Sequence, residues 1–317
     1  FPHCTTRTFR KHNAARKDKT VISAAMGNNK LAIIIPAFSG HEQLGHCLES
    51  LYKSHYSDFD VVIVDHGVTD EISRWVNTAF PRVTCKRGSP ELWWSGASNL
   101  GIRHALSSGS TMIMLLNHDC YLRQDTIGTL VGQLQNMSNA VIAPTQINTR
   151  TQRETIGATS FFLAGFSTII PPASWYRRFH PEKPIPVDLI PGGRGVIIRA
   201  SVFDQVGLFN ESQLPHYYAD HDFYFRCRKA GIKLYVCGNA TVDIDDTMTT
   251  LGDMDSNLSL ANLMRSLKNR RSHRNIKDLS TLFSLHYPLA ALAPVGVALH
   301  LLRYCSVYFV KMIFSAR

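Results

Sequence analysis

Three almost purely apolar runs dominate what this chain can fold into: LAIII at 31–35, FDVVIV at 59–64 and TMIMLL at 111–116. A strand that is apolar on both faces must be covered on both, which is the condition of a central strand sandwiched by helices. The intervening segments supply those helices. Between 41 and 53, Leu44, Cys47, Leu48, Leu51 and Tyr52 recur at helical spacing. Residues 69–80, 99–107 and 125–135 read as further helices, and 83–85 and 140–144 as further strands. The alternation predicts an α/β fold with a mostly parallel central sheet and right-handed crossovers. Ligands of such sheets bind beyond the carboxyl ends of the strands. Pro36, Ala37, Asp65 and Asn117-His118-Asp119 stand at those ends. No G-x-G-x-x-G follows the first strand and no G-x-x-x-x-G-K-[ST] occurs, so dinucleotide and P-loop sites lose their main support.

Three polar clusters carry chemistry. Asp65, with Gly67 and Asp70, places a carboxylate where it accepts hydrogen bonds from a ribose or base, or simply forms a strand-to-helix turn. Asn117-His118-Asp119 groups donors suited to a hard divalent cation, Mg²⁺ or Mn²⁺, that also bridges a diphosphate; an ordinary polar turn is the other reading. His216-Tyr217-Tyr218-Ala219-Asp220-His221-Asp222 heads a helical pattern. Two carboxylates two apart on a helix face different ways, so one is a candidate general base and the other a local cap or binding group. Just before it, Pro191-Gly192-Gly193-Arg194-Gly195 permits close backbone approach to a ligand, with Arg194 available to an anion.

Charge separates the chain into three zones. Lys and Arg number 34 against 24 Asp and Glu, a net +10. Residues 1–25 carry +5 and residues 261–317 carry +8, leaving −3 for 26–260. An acidic body with basic ends is a poor general nucleic-acid binder. The first 25 residues lack an apolar signal core and read as an extension ahead of a natural start at Met26. At the other end, six basic residues between 265 and 277 precede the apolar stretch PLAALAPVGVALHLL. Continued as a helix, that stretch gathers His300, Arg303 and Lys311 on one side and leaves a broad apolar face. This predicts an interfacial anchor on an anionic membrane; a helical pair packed on the core is the alternative. Seven cysteines without a CxxC pair fit a reducing compartment and buried core positions.

In this order and spacing the motifs resemble a family 2 glycosyltransferase of the GT-A fold, over roughly residues 30–250. The similarity rests on LAIIIPAF, VVIVDHGVTD, WWSGASNLGI, LLNHDCYL and PGGRGVIIRASVFDQVGLFNE…YYADHDFYFRCRKAG. The resemblance implies inverting transfer from a nucleotide-diphospho sugar (dTDP- or UDP-linked), with Asp220 as catalytic base. It implies donor binding by Pro36, Ala37, Asp65, Asn99 and Asn117, with Asn99 on a glycine-and-asparagine loop. Asp119 becomes the metal and diphosphate ligand. Trp94, Gly193, Arg194 and Asp222 become sugar or acceptor contacts. Two positions depart from the pattern. Ala219 stands where the family usually has Glu, as in some of its branches, and no His follows the last strand. There, either Asp243 or Asp245 substitutes as metal ligand, or metal binding is weak or absent. The WWxGxxNLGI loop and basic C-terminus are similar to bacterial rhamnosyltransferase-type enzymes of surface polysaccharide synthesis. That implies a glycan or lipid-linked acceptor and a cytoplasmic enzyme, peripheral on the inner face of the plasma membrane. Three segments are expected: an extension at 1–25, a catalytic domain at 26–250 and a membrane-associating helical segment at 251–317. A non-catalytic nucleotide-sugar-binding subunit is the rival reading, distinguished by binding without turnover.

Overall fold

The apolar runs become neighbouring strands of one sheet in the computed structural model, which describes residues 30–179, 182–245, 247 and 258–315. The extension at 1–25, Met26, Cys4 and the boundary at 250 lie outside the described residues. The first half runs β1 (Leu31–Ala37), α1 (His41–Tyr52), β2 (Phe59–Asp65), α2 (Glu71–Ala79) and β3 (Thr84–Arg87). It continues through α3 (Trp93–Ser107), β4 (Met112–Leu116), β5 (Cys120–Leu122), α4 (Thr126–Gln135) and β6 (Ala140–Asn148). Shorter elements follow: β7 (Glu154–Thr155), β8 (Thr159–Phe161), β9 (Phe166–Ile169), α5 (Ala173–Tyr176) and β10 (Ile185–Val187). Then come β11 (Arg194–Arg199), α6 (Ala200–Val206), α7 (Ala219–Lys229) and β12 (Lys233–Ile244). Three helices close the chain: α8 (Leu260–Lys268), α9 (Ile276–His286) and α10 (Ala293–Ser315).

The main sheet has the order β10-β12-β6-β11-β4-β1-β2-β3. Strands β4, β1, β2 and β3 are mutually parallel, as the alternation predicts. The sequence pattern does not reveal that β11 inserts antiparallel between β4 and β6. The reversal brings the start of β11, at Gly193 and Arg194, to the edge where β1, β2 and β4 end. Alternate residues of β1 serve opposite faces. Ile33 and Ile35 pack with Leu44, Leu48 and Leu130 of α1 and α4. Ala32 and Ile34 face the other buried cluster, which holds Ile102 of α3, Phe223 of α7 and Phe283 of α9.

The segment WWSGASNLGI is helix, not the expected loop: α3 starts at Trp93. Its small residues face the sheet, and a Cβ on Gly101 would lie 2.4 Å from Ile34. Glycine is therefore a packing requirement here, not a hinge. All six described cysteines are free, and Cys47, Cys120, Cys227 and Cys237 are buried, in line with their reading as core residues.

The C-terminal helices join the body. Leu279, Leu282 and Phe283 of α9 are fully buried in the same core as α7. Helix α10 turns its polar stripe inward: the His300 ring bonds the Gly165 carbonyl (2.9 Å), and the Arg303 guanidinium lies 3.7 Å over the Phe166 ring. Its apolar stripe faces outward, with Leu302 67%, Ile313 57% and Phe314 68% exposed. That is the reverse of a water-soluble amphipathic helix. The stretch Ala290–Phe314 is long and apolar enough to cross a membrane, with a mean hydropathy of 1.4.

Candidate active site

Two adjoining cavities open at the carboxyl edge of the parallel strands. A strand-end cavity of about 550 Å³ is lined by Pro36, Phe38, His66, Trp93, His118 and Arg271, among others. A helix-side cavity of about 730 Å³ is lined by Gly192, Gly193, Arg194, Asp220, His221, Arg274, Arg303 and Tyr304, among others. Trp94, Asn117, Asp119, His216 and Tyr217 line both, forming the wall between them.

That wall is built by contacts distant in sequence. The Ser95 N–H and hydroxyl donate to the carbonyls of Pro215 (2.9 Å) and Leu214 (2.7 Å), which straps the start of α3 against the 214–217 segment. Trp94 Nε1–H then donates to Asn117 Oδ1 (2.9 Å), and the Asn117 N–H donates to the Gly193 carbonyl (2.8 Å). A Cβ on Gly193 would stand 2.7 Å from the Trp94 ring, so only glycine admits the indole.

Asp220 stands in the first turn of α7, presented by Tyr218 at φ +65. One carboxylate oxygen accepts the N–H of Gly192 (2.9 Å); the other accepts the backbone N–H of His221 (2.9 Å) and meets its Nδ1 (2.8 Å). On the far side of the ring, His221 Nε2 meets the Thr168 hydroxyl. Burial pushes the Asp220 carboxyl upward, but His221 and the two N–H groups outweigh it and hold the group below the usual carboxylate range. Asp220 is thus an anion at neutral pH, facing the cavity. Burial, then Arg271, pushes His216 down to about 4, so this shared wall residue is neutral.

Several expected site residues have other duties. Asp222 points away from both cavities: it is 2% exposed, pairs with Arg226 (2.9 Å) and meets His286 Nε2 (2.8 Å), tying α7 to α9. Its expected place at the acceptor is corrected by the helical geometry that turns it from Asp220. Asn99 is buried and clamps the 209–211 turn through Phe209 N, Phe209 O and Glu211. Ala37 is buried in β1, and its carbonyl accepts the His66 N–H. Asp65 is wholly buried and engaged by Gly67, Ser73 and Arg87. Asp243 pairs with Arg123 (3.0 Å), and Asp245, whose N–H donates to the Asp119 carbonyl (2.9 Å), accepts from Tyr121 and Thr247; neither lines the cavities that Asp119 lines. Among the described residues, no three His, Cys, Asp or Glu side chains cluster as a metal site. Pro36, Asn117, Asp119, Trp94, Gly193, Arg194 and Asp220 do line the cavities.

Arg271, Arg274 and Arg303 were legible only as charge. Two residues of the basic stretch, Arg271 and Arg274, line the cavities, with the Arg271 guanidinium 5.4 Å above the Phe38 ring and 5.9 Å from that of Trp93. His66 and His221 stand inside quoted motifs, but nothing in their spacing marks them as cavity residues.

Comparison with known proteins agrees with this architecture. Residues 32–205, more than half the chain, match the family described as glycosyl transferase family 2. The low-salt glycan biosynthesis hexosyltransferase Agl10 of Haloferax volcanii is 26% identical over 212 residues, 65% of this chain and 64% of that relative. The match therefore spans less than two thirds of the relative's length. Among solved structures, GalNAc-T7 with UDP, GalNAc and Mn²⁺ superposes with a TM-score of 0.57 at 15% identity, over 84% of this chain and 53% of that one. TarS 1–349 of S. aureus superposes with a TM-score of 0.54 at 14% identity, over 86% and 89%. These two likenesses establish a shared fold. With the family match and the two-cavity site at the strand ends, the chain is a member of the family 2 glycosyltransferases, with the GT-A fold.

Proposed function

We propose that this protein transfers a sugar, with inversion, from a nucleotide-diphospho donor in the strand-end cavity to a hydroxyl of an acceptor in the helix-side cavity. The observation that carries the reading is the Asp220 carboxylate, facing the acceptor cavity while Asp119 stands in the wall the two cavities share. Asp220 takes the proton of the acceptor hydroxyl as its oxygen bonds to the anomeric carbon. The bond from that carbon to the donor's phosphate oxygen breaks, and the nucleoside diphosphate leaves with the electron pair. His221, anchored on Thr168, holds the carboxylate in place, at the expense of some basicity.

The donor set around Asp119 fits a divalent ion completed by phosphate oxygens and water, not one caged by protein alone. Asp119 would hold one side of Mg²⁺ or Mn²⁺, which when bound neutralises charge on the leaving diphosphate. Arg271, at the edge of the same cavity, adds a fixed positive charge.

A membrane location and a lipid-linked acceptor belong to the same proposal. The acceptor cavity has Arg153, Arg194, Arg274 and Arg303 against Asp119 and Asp220, so its field suits an anionic acceptor. Val307 lines that cavity and also belongs to the exposed apolar stripe of α10, so cavity and lipid-seeking surface meet at one rim. This supports a peripheral enzyme of glycan assembly on the inner face of the plasma membrane. The resemblance to rhamnosyltransferase-type enzymes makes dTDP- and UDP-sugars the first donors to try.

The test is donor turnover by purified protein, followed as nucleoside diphosphate release. Asp220→Asn is expected to lose roughly 10²–10⁴-fold in rate while keeping its thermal midpoint and donor affinity. Undiminished turnover in that variant removes Asp220 as the base. Donor binding without turnover by wild type, whatever the acceptor, supports the non-catalytic subunit instead.

A further inference from the structure

The apolar surface of α10 does not end with the helix. The link from β8 to β9 is a 3₁₀ turn, Phe162–Ala164, whose side chains divide by direction. The Phe162 ring enters the body, 4.9 Å from that of Phe225, 5.1 Å from Phe283 and 6.3 Å from Tyr287. Its neighbours turn outward: Phe161 is 57% exposed and Leu163 49%. Surface turns are ordinarily built from Gly, Pro, Asn, Asp and Ser, and this tip presents two large apolar side chains instead.

The tip is seated on α10. Gly165 closes the turn at φ +75, and a Cβ there would lie 2.9 Å from the Leu299 Cβ. The Tyr287 hydroxyl donates to the Leu163 carbonyl (3.4 Å), and the Arg303 guanidinium covers the Phe166 ring. Leu299 is itself exposed and stands in the outward stripe with Leu302, Phe309 and Ile313. One apolar surface therefore runs from α10 across to Leu163 and Phe161, and a contiguous patch of this kind marks an interaction site.

Charge identifies what it faces. From 159 to 181 the chain has Arg177 and Arg178 and no Asp or Glu; from 279 to 317 it has Arg303, Lys311 and Arg317 and again no Asp or Glu. Arg177, Arg178 and Lys311 are exposed. An apolar surface whose segments carry cations and no carboxylate complements an anionic bilayer.

We infer that the β8–β9 turn is a second membrane-contacting element, which places Phe161 and Leu163 in the leaflet on which α10 lies. The inference rests on the membrane location proposed above and adds an orientation to it. A lone helix rolls about its axis on a surface, and a second contact beside it fixes the roll. The helix-side cavity lies between the two contacts. Ser167, Thr168 and Ile170 line it from β9 and its end, and Leu301, Tyr304 and Val307 line it from α10. Ile170 and Val307 are both exposed, so its rim is apolar on each side. A hydrocarbon chain leaving the cavity by that rim passes directly into lipid.

The test is sedimentation of the full chain with phosphatidylglycerol vesicles, for wild type, Leu302→Glu with Ile313→Glu, and Phe161→Ser with Leu163→Ser. The serine pair changes no charge, so its loss of binding reports apolar contact. It is expected to lower partition about tenfold or more and to keep the thermal midpoint. Partition equal to wild type overturns the inference, and release of the glutamate pair in the same experiment leaves α10 as the one anchor. If the serine pair does not fold, vesicle-bound Leu163→Trp decides: brominated phospholipid should quench its emission beyond the quenching of wild type, and equal quenching overturns the inference. Light scattering without vesicles tests a second copy as the occupant; a wild-type dimer that the serine pair makes monomeric, with partition unchanged, also overturns it. If wild type does not sediment with vesicles, the membrane location and the inference fall together.

Discussion

Tyr218 and Trp93 both hold positive φ angles, +65 and +51, and both border the site. Non-glycine residues in such conformations cost of order 1–3 kcal/mol each, a cost the surrounding packing must offset. At Tyr218 the buried ring is held by a hydroxyl donated to the His273 carbonyl, and the next turn delivers Asp220 into the cavity. The neighbouring histidines make stability depend on pH. Burial holds His66 and His216 at about 4 in the folded state, against about 6.5 unfolded. Between those values the unfolded chain binds more protons, so stability falls as pH is lowered from about 6.5 to about 4. The loss is up to about 3 kcal/mol for His66 and less for the more accessible His216. Asp220 and Asp222, held below the ordinary carboxylate range, act in the same sense: their contribution is complete above the unfolded carboxylate value of about 4 and is lost as pH falls below it. Urea midpoints at pH 7 and pH 4.5 measure this; His216→Gln should shrink the difference. At this scale the sequence marks Asp220 and Asp65 alike. Both are carboxylates in motifs, but only coordinates tell that one is saturated by Ser73 and Arg87 and the other faces a cavity.

Among elements, β1, β2 and β4 were legible because their burial is written in their composition. Helix α3 was misread at its start: Trp93, Ser95 and Gly96 break helical propensity, yet Ser95 is strapped to Leu214 and Pro215, more than 110 positions away. Helix α10 was legible as amphipathic but not in its orientation, since the partner of His300 is the carbonyl of Gly165. Close approach there needs Gly165, where a Cβ would lie 2.9 Å from the His300 backbone nitrogen. The outward apolar stripe leads to a direct test of the membrane proposal. Leu302→Glu with Ile313→Glu should lower partition onto phosphatidylglycerol vesicles by roughly 10²–10⁴-fold, given about 1.5–3 kcal/mol per buried side chain. Nucleotide affinity and the thermal midpoint should stay unchanged, because both residues point away from the cavities. Equal partition by the double variant overturns the anchor.

For the molecule as a whole, the parallel half of the sheet and the position of its ligand edge followed from the alternation of strands and helices. The antiparallel entry of β11 did not, because a buried strand reads the same in either direction. Charge needed the structure most. Of the nine basic residues in 261–317, Arg271, Arg274 and Arg303 line the site, while Arg265, Lys268, Lys277 and Lys311 are exposed. On the proposed reading the apolar stripe supplies most of the membrane attachment and these four charges the smaller share. Raising salt from 0.1 to 0.5 M, which shortens the screening length about twofold, is expected to reduce vesicle sedimentation under fivefold. A collapse to the level of the double variant would place the attachment in the charges.

In the proposed arrangement helix α10 faces lipid on one side and the acceptor cavity on the other. An enzyme so held does not sample acceptors from a volume. It meets those that diffuse in the same plane, already turned head-first toward the protein, and its working variable becomes their number per unit area. Orientation, ordinarily lost entropy at each encounter, is then supplied by the bilayer before the substrate arrives.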